Sequence, residues 1–243
     1  MTSNRDTLFA DLHSGADRFV FDERVAAVFP DMIQRSVPGY ADVVAMSGLI
    51  AERYARPGTR IYDLGSALGA TTFSVLRRLP GRDVTVVAVD NSPAMVFRCQ
   101  RILRAEAMDA RVDLLCADVC HVAIKNASLV VLNFTLQFIP PEAREALLHR
   151  IRAGLVPGGV LVLSEKTAAP EAGIEEAFTE LHHAFKRARG YSDLEISRKR
   201  EALEDVLIPE ALDVHRERLR RAGFSHIAVW YRCFDFVSLL AWT

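Results

Sequence analysis

The 243-residue sequence has no uninterrupted apolar run of about 18 residues, the length a membrane helix needs, so no spanning segment and no membrane partner is expected. Its opening stretch, MTSNRDTLFADLH, carries two acids and lacks a long apolar centre, so no secretory signal is expected and the cytoplasm is the expected compartment. Cysteine is scarce: Cys99, Cys116, Cys120 and Cys233 form no C-x-x-C pair and stand among apolar neighbours, as in VDLLCADVC. They read as free structural thiols in a reducing compartment rather than a disulfide framework. The seven histidines contain neither H-x-H nor H-E-x-x-H, and adjacent His182 and His183 would point about 100° apart on a helix, so no metal site is expected. An excess of either charge sign is also missing. A net charge of −1, with 25% charged and 50% hydrophobic residues, is the balance of a globular domain and offers nucleic acid no broad attraction.

One stretch breaks that neutrality. Residues 186–201, KRARGYSDLEISRKRE, hold six basic residues. An RNA-binding module is one reading, but Asp193, Glu195 and Glu201 interrupt the bases and no RRM, KH or zinc-knuckle pattern occurs. Direct nucleic-acid binding is therefore not expected, and most of the cluster reads as a solvated helix face.

What the chain does have is an alternation of apolar β-type runs with helical segments. The runs are RIYDLG (60–65), VTVVAVD (84–90), VDLLCAD (112–118), SLVVLNF (128–134) and GVLVLSEK (159–166), rich in Val, Ile and Leu without polar alternation. Strands buried on both faces of a parallel sheet have that composition. SPAMVFRCQRILRAEA, with Ser92 as N-cap and Pro93 at the first helical position, and PPEAREALLHRIRAGLVPGG, ending at PGG, read as helices between them. HIAVWYR and FDFVSLLAW then close the chain as an antiparallel hairpin. The expectation is one α/β domain over 1–243 with seven strands. It has an N-terminal helical cap (1–50) ending in SVPGY, a core over 51–166, a helical insertion over 167–222 and a terminal β-hairpin over 223–243. That order is similar to the Rossmann-like sheet of class I S-adenosylmethionine-dependent methyltransferases, an analogy of fold that says little about chemistry.

IYDLGSALGATT runs an apolar strand through a glycine turn into a helix, aiming backbone N–H groups and a positive helix end at a ligand. A G-x-G-x-x-G fingerprint would need glycine at 67, where Ala67 stands, so a nicotinamide dinucleotide is disfavoured. Asp63, Gly65 and Gly69 instead make D-x-G-x-x-x-G, which looks like the S-adenosyl-L-methionine motif. Ligands of open α/β sheets lie outside the carboxyl ends of strands. Asp90 ends the second strand at the spacing of a ribose-binding carboxylate. Asp118 and Val119 end the third, suited to an adenine amine and ring nitrogen, and Asn133 ends the fourth, facing a methionine portion. A lone Asp after a strand is commonly a cap; four polar strand ends in succession are harder to assign that way.

Longer strings carry a more specific likeness. RSVPGY, DNSPAM, NASLVVLNFTLQF, GGVLVLSEK and GYSDLEISRKR, with FDERVAAVFPDMI, closely resemble the carboxy-S-adenosylmethionine synthase family over almost the whole chain. The resemblance implies conversion of S-adenosyl-L-methionine and prephenate to carboxy-S-adenosyl-L-methionine and phenylpyruvate. It also implies a homodimer, and a separate tRNA-modifying carboxymethyl-transfer enzyme that uses the product at the wobble uridine. The implied ligand residues are Tyr40, Gly65, Ser66, Ala67, Asp90, Asn91, Asp118, Val119, Asn133 and Arg200. Arg200 and Tyr40 stand nearest the chemistry, Arg200 as partner of the new carboxylate, and no metal is implied. One departure is DLGSALG where the family usually reads DLGCSLG, a mild change if those positions act through backbone. A conventional small-molecule methyltransferase is the alternative that the cofactor motif alone leaves open.

Overall fold

The structure, a computed structural model, describes residues 5–10 and 19–243. The expected N-terminal helical cap therefore falls partly on residues 1–4 and 11–18, outside the described residues. Helix α1 spans Glu23–Ser36, where the Asp22 carboxylate caps it by accepting from the Val25 N–H. Helix α2 spans Tyr40–Tyr54. SVPGY thus forms the joint between these two helices rather than the end of the cap. Gly39 makes that joint possible: its φ is +72°, and a Cβ there would lie 1.6 Å from the Tyr231 hydroxyl oxygen.

The core follows as β1 (Thr59–Leu64), α3 (Ala70–Arg78), β2 (Val84–Asp90), α4 (Pro93–Ala105), β3 (Val112–Cys116), β4 (Ala127–Asn133), α5 (Pro141–Gly154) and β5 (Leu155–Ala168). Ser92 caps α4 and Pro93 opens it, as their residue types require. VPGG does not end the fifth helix loosely. It starts β5, whose pairing with β4 shifts register between Ala127 and Leu129. After β5 come α6 (Ala172–Ala188), α7 (Asp193–Leu203), the two-residue β6 (Glu210–Ala211), α8 (Leu212–Arg221), β7 (His226–Cys233) and β8 (Phe236–Trp242). The sheet order is β3-β2-β1-β4-β5-β8-β7, with β6 paired to the far end of β5. All pairs through β5 are parallel, and β8 is antiparallel to both β5 and β7.

Both faces of the sheet are covered, which is why its strands read as continuous apolar runs. On one face Ile61, Val86, Leu129 and Val162 pack with Ala51, Val75 and Leu103 of α2, α3 and α4. On the other, Leu64, Val89, Leu132 and Leu163 pack with Leu147 and Ile151 of α5 and Leu219 of α8. Each fully buried side chain of this kind contributes about 1.5–3 kcal/mol relative to exposure. Helix α8 is thus part of the central layers, while α6 and α7 extend beyond them. All four cysteines are free, but Cys116 is exposed rather than packed.

Candidate active site

Successive connections run from β1 out to β3 in one direction and from β4 to β5 in the other, so the strand order reverses between β1 and β4. Their following loops diverge there and leave a crevice at the carboxyl edge. A cavity of about 740 Å³ occupies this place. Its walls include all ten ligand residues that the resemblance implies: Tyr40, Gly65, Ser66, Ala67, Asp90, Asn91, Asp118, Val119, Asn133 and Arg200.

The first turn is built by its backbone. Gly65 has φ +82°, and a Cβ there would come 2.1 Å from Thr135 Oγ1. Gly65 and Ser66 both donate N–H bonds to Val89 O, at 2.8 and 2.9 Å. Ala67 also takes a left-handed φ of +47°, and its N–H donates to Asp90 Oδ2 at 2.9 Å. Asp63 does not line the cavity. It braces the start of α3 from behind, where Oδ2 accepts from Thr72 N and Oγ1 at 3.0 and 2.7 Å. Burial pushes Asp63 up to about 6, opposed by the two Thr72 bonds.

Asp90 accepts one backbone bond on each oxygen, from Ala67 N and Ser92 N, both at 2.9 Å, which leaves further lone pairs for hydroxyl donors. Burial raises its pKa above the usual carboxylate range. Asn91 sits exposed beside it at the rim. Asp118 is held by the Cys120 N–H at 2.7 Å, and Val119 is buried next to it. The Ser66 hydroxyl is buried on this wall without a hydrogen-bond partner among the described residues. Buried polar atoms are normally satisfied, so this orphan fits a ligand group supplied from the cavity. The wall therefore suits an S-adenosyl group by its donor set: a ribose acceptor at Asp90, an adenine-side acceptor at Asp118 and a free hydroxyl at Ser66.

Asn133 reaches the wall, but its Nδ2 donates to Ser47 Oγ and Thr71 Oγ1 at 3.2 and 3.0 Å, and its Oδ1 accepts from Ser164 Oγ at 2.8 Å. Both amide hydrogens are committed, so the side chain offers a ligand only its remaining oxygen lone pair. Tyr40 stands in the first turn of α2, its ring 6.2 Å from that of Phe134, which is itself 6.2 Å from Phe236. Burial, with the Asp63 charge added, pushes the Tyr40 hydroxyl well above its ordinary value, so it remains a donor.

The far end of the cavity is basic. Lys166, Lys186, Lys199, Arg200, His182 and His183 all line it. Lys186 and Lys199 are only 9% and 4% exposed, so these two depart from the solvated face on which Arg187, Arg189 and Arg200 are exposed. Lys199 Nζ donates to Ser36 Oγ at 2.8 Å and reaches Tyr191 Oη and Asp6 Oδ2 at 3.3 and 3.4 Å. Arg200 is exposed at the cavity wall, and among the described residues neither Glu201 nor Glu204 pairs with it. Sequence reading passed over Lys166, Lys186 and Lys199. A signal existed: Glu175, Thr179, His182, His183 and Lys186 follow the i, i+4, i+7, i+8, i+11 spacing of one helical face. Among the described residues no group of three or more His, Cys, Asp or Glu is placed to hold a metal ion.

Comparison with known proteins agrees with this geometry. A methyltransferase-domain family model matches residues 61–159. A carboxy-S-adenosyl-L-methionine synthase from Trichlorobacter lovleyi is 56% identical over 243 residues, and one from Shewanella sp. (strain ANA-3) is 53% identical over 241 residues, each alignment covering 99% of both chains. The chain belongs to the carboxy-S-adenosyl-L-methionine synthase family. Solved structures place this family's fold among the methyltransferases. An O-methyltransferase family protein from Burkholderia thailandensis superposes with TM-score 0.63 at 17% identity, covering 94% of this chain and 65% of that one. Human N-acetylserotonin methyltransferase in complex with S-adenosylmethionine gives 0.61 at 15% identity, covering 98% and 63%. In this member of the synthase family the Ser66–Ala67 pair still engages Val89 and Asp90 through backbone N–H groups, which the changed side chains leave intact.

Proposed function

We propose that the protein carboxylates S-adenosyl-L-methionine at its sulfonium methyl, using prephenate as the source of the carboxyl group and releasing phenylpyruvate. One observation carries this reading: a cluster of cations, Lys166, Lys186, Lys199 and Arg200, shares one cavity with the S-adenosyl set. With Lys166 and Lys199 already facing Asp235 and Asp6, a sulfonium sharing the cavity with Lys186 and Arg200 is electrostatically disfavoured unless anions stand between them. A dianionic co-substrate and an anionic product satisfy that demand, whereas transfer of a methyl cation to a neutral acceptor does not.

Prephenate becomes aromatic by losing its ring carboxylate as CO2 and its ring hydroxyl as hydroxide. The hydroxide removes a proton from the sulfonium methyl, giving water and an ylide stabilised by the adjacent positive sulfur. The ylide carbon then forms a bond to the CO2 carbon. The products are carboxy-S-adenosyl-L-methionine, phenylpyruvate and water, with no external base or metal in the balance. The protein's contribution on this reading is to align two reactants and exclude bulk water. Tyr40, Phe134 and Phe236 form the apolar wall, and the protonated Tyr40 hydroxyl donates toward the ligand. Arg200 meets the new carboxylate with the paired N–H geometry that lysine lacks. We place the reaction in the cytoplasm, in a homodimer, with the product consumed by a tRNA-modifying enzyme that transfers the carboxymethyl group to the wobble uridine. No described helix is long and apolar enough to cross a membrane.

Mass spectrometry of the purified protein incubated with S-adenosyl-L-methionine and prephenate tests the reading. The expected result is S-adenosyl-L-methionine heavier by one CO2, together with phenylpyruvate. S-adenosylhomocysteine and a methylated acceptor would instead establish a conventional methyltransferase.

A further inference from the structure

Besides the exposed Arg200, the cavity is lined by one buried cation that has no partner among the described residues. Lys199 is satisfied by Ser36, Tyr191 and Asp6. Lys166 Nζ lies 3.4 Å from Asp235 Oδ2. His182 donates from Nε2 to the Ser36 carbonyl at 2.8 Å, and burial pulls its pKa down to about 3, so it is neutral. Lys186, one turn further along α6, is 9% exposed, lines the cavity and has no hydrogen bond or ion pair from its ammonium among the described residues. The groups that act on it are Lys199 from α7, Lys166 from β5 and Asp235 from the turn between β7 and β8, the last already paired with Lys166.

We propose that Lys186 binds the carboxylate that the anionic co-substrate keeps throughout the reaction, the one on the pyruvyl side chain of prephenate. The assignment rests on the carboxylation reading above and deepens it. A buried ammonium without a partner is costly, and an anion entering the cavity removes that cost. The choice between the two carboxylates follows from their fates. A fixed cation on the carboxylate that leaves as CO2 would stabilise the ground state over the transition state and slow its loss. The retained carboxylate keeps its charge from substrate to product, so pairing it with Lys186 orients the ring without opposing the chemistry. Burial and the positive Lys199 and Lys166 pull Lys186 down to about 7, so anion binding near neutral pH draws a proton onto it.

Lys186→Met keeps an unbranched side chain, one atom shorter, and removes the charge. Its KM for prephenate should rise about 10- to 100-fold, the loss of one charge-assisted contact, with the dissociation constant for S-adenosyl-L-methionine within about threefold of wild type. Because the lysine is unpaired, the melting temperature of the variant should not fall, and Lys186→Arg should recover part of the KM. An unchanged KM with a lowered melting temperature overturns the proposal, since that is the behaviour of a structural residue. A second arm does not depend on turnover: equilibrium binding of phenylpyruvate to the protein saturated with S-adenosyl-L-methionine. Wild type should bind it at least about tenfold more tightly than Lys186→Met. Equal affinity, or no binding to either, refutes the role of Lys186. Failure of wild type to form carboxylated product, with phenylpyruvate binding still dependent on Lys186, refutes the carboxylation reading alone.

Discussion

Substituting Gly65 by alanine tests the construction of the site at its tightest point. The new Cβ would lie 2.1 Å from Thr135 Oγ1, 2.6 Å from its Cγ2 and 2.9 Å from its Cβ, at a backbone φ of +82°. The left-handed conformation costs alanine about 1–2 kcal/mol. Displacing Thr135 also breaks its Oγ1 bond to Leu64 O, 2.9 Å long, a further cost of about 0.5–1.5 kcal/mol. The expected loss is therefore about 1.5–3.5 kcal/mol in chemical denaturation, equivalent to a fall in melting temperature of about 3–14 °C for a chain of this size. S-adenosyl-L-methionine affinity should fall with it, because the shifted turn carries Ser66 and Ala67. A double-mutant cycle separates the two causes. Adding Thr135→Gly removes the steric part but not the φ cost, so the pair should be less destabilised than the sum of the single changes, by about 0.5–1.5 kcal/mol. Strict additivity, or a Gly65→Ala protein less than about 1 kcal/mol below wild type, would show that the turn relaxes without engaging Thr135.

Three further outcomes follow from the same geometry. Arg200→Ala should retain the fold and bind S-adenosyl-L-methionine within about threefold, since the residue is exposed and has no partner among the described residues, but should hold carboxy-S-adenosyl-L-methionine at least about tenfold more weakly in a calorimetric titration. Ala67→Ser should change S-adenosyl-L-methionine affinity by less than about tenfold, because the Ala67 contribution is its N–H bond to Asp90; a larger tightening would identify a lost hydroxyl contact instead. Lys186 titrates at about 7 in the fold against an unperturbed 10.5, so the unfolded chain holds more protons on this group between those values. Its contribution to stability accordingly rises as pH rises through about 7 toward 10.5. The stability difference between Lys186→Met and wild type, measured by denaturant unfolding, should favour the variant most at pH 6 and shrink by pH 9.5. A difference independent of pH would refute the depressed pKa.

Much of this molecule can be read from the order of its residues. The strands β1, β2, β4 and β5 are covered on both faces, so they must be written in Val, Ile and Leu, and runs such as VTVVAVD and SLVVLNF announce them. Parallel strands joined by helices have a single carboxyl edge, so polar residues that end those runs, Asp90, Asp118 and Asn133, fall on one cavity wall without knowledge of any contact. The short β6 was not legible, because two residues, Glu210 and Ala211, leave no period to detect. Nor was the place of SVPGY, which depends on Tyr231 packing against Gly39 from the distant β7.

Side-chain commitments belong to tertiary structure alone. Asn133 ends its strand as the pattern requires, yet Ser47, Thr71 and Ser164 from three other elements occupy its amide. In KRARGYSDLEISRKRE the lysines and arginines are equivalent as letters. Folding turns Lys199 toward Asp6, Ser36 and Tyr191, leaves Arg200 on the open cavity wall and buries Lys186 without a partner among the described residues. Local pattern determined the strands and the edge where a ligand binds, because backbone burial and connectivity act along the chain. Which charge is satisfied and which is left for a ligand was decided only when distant elements met, because desolvation and pairing depend on what lies across space.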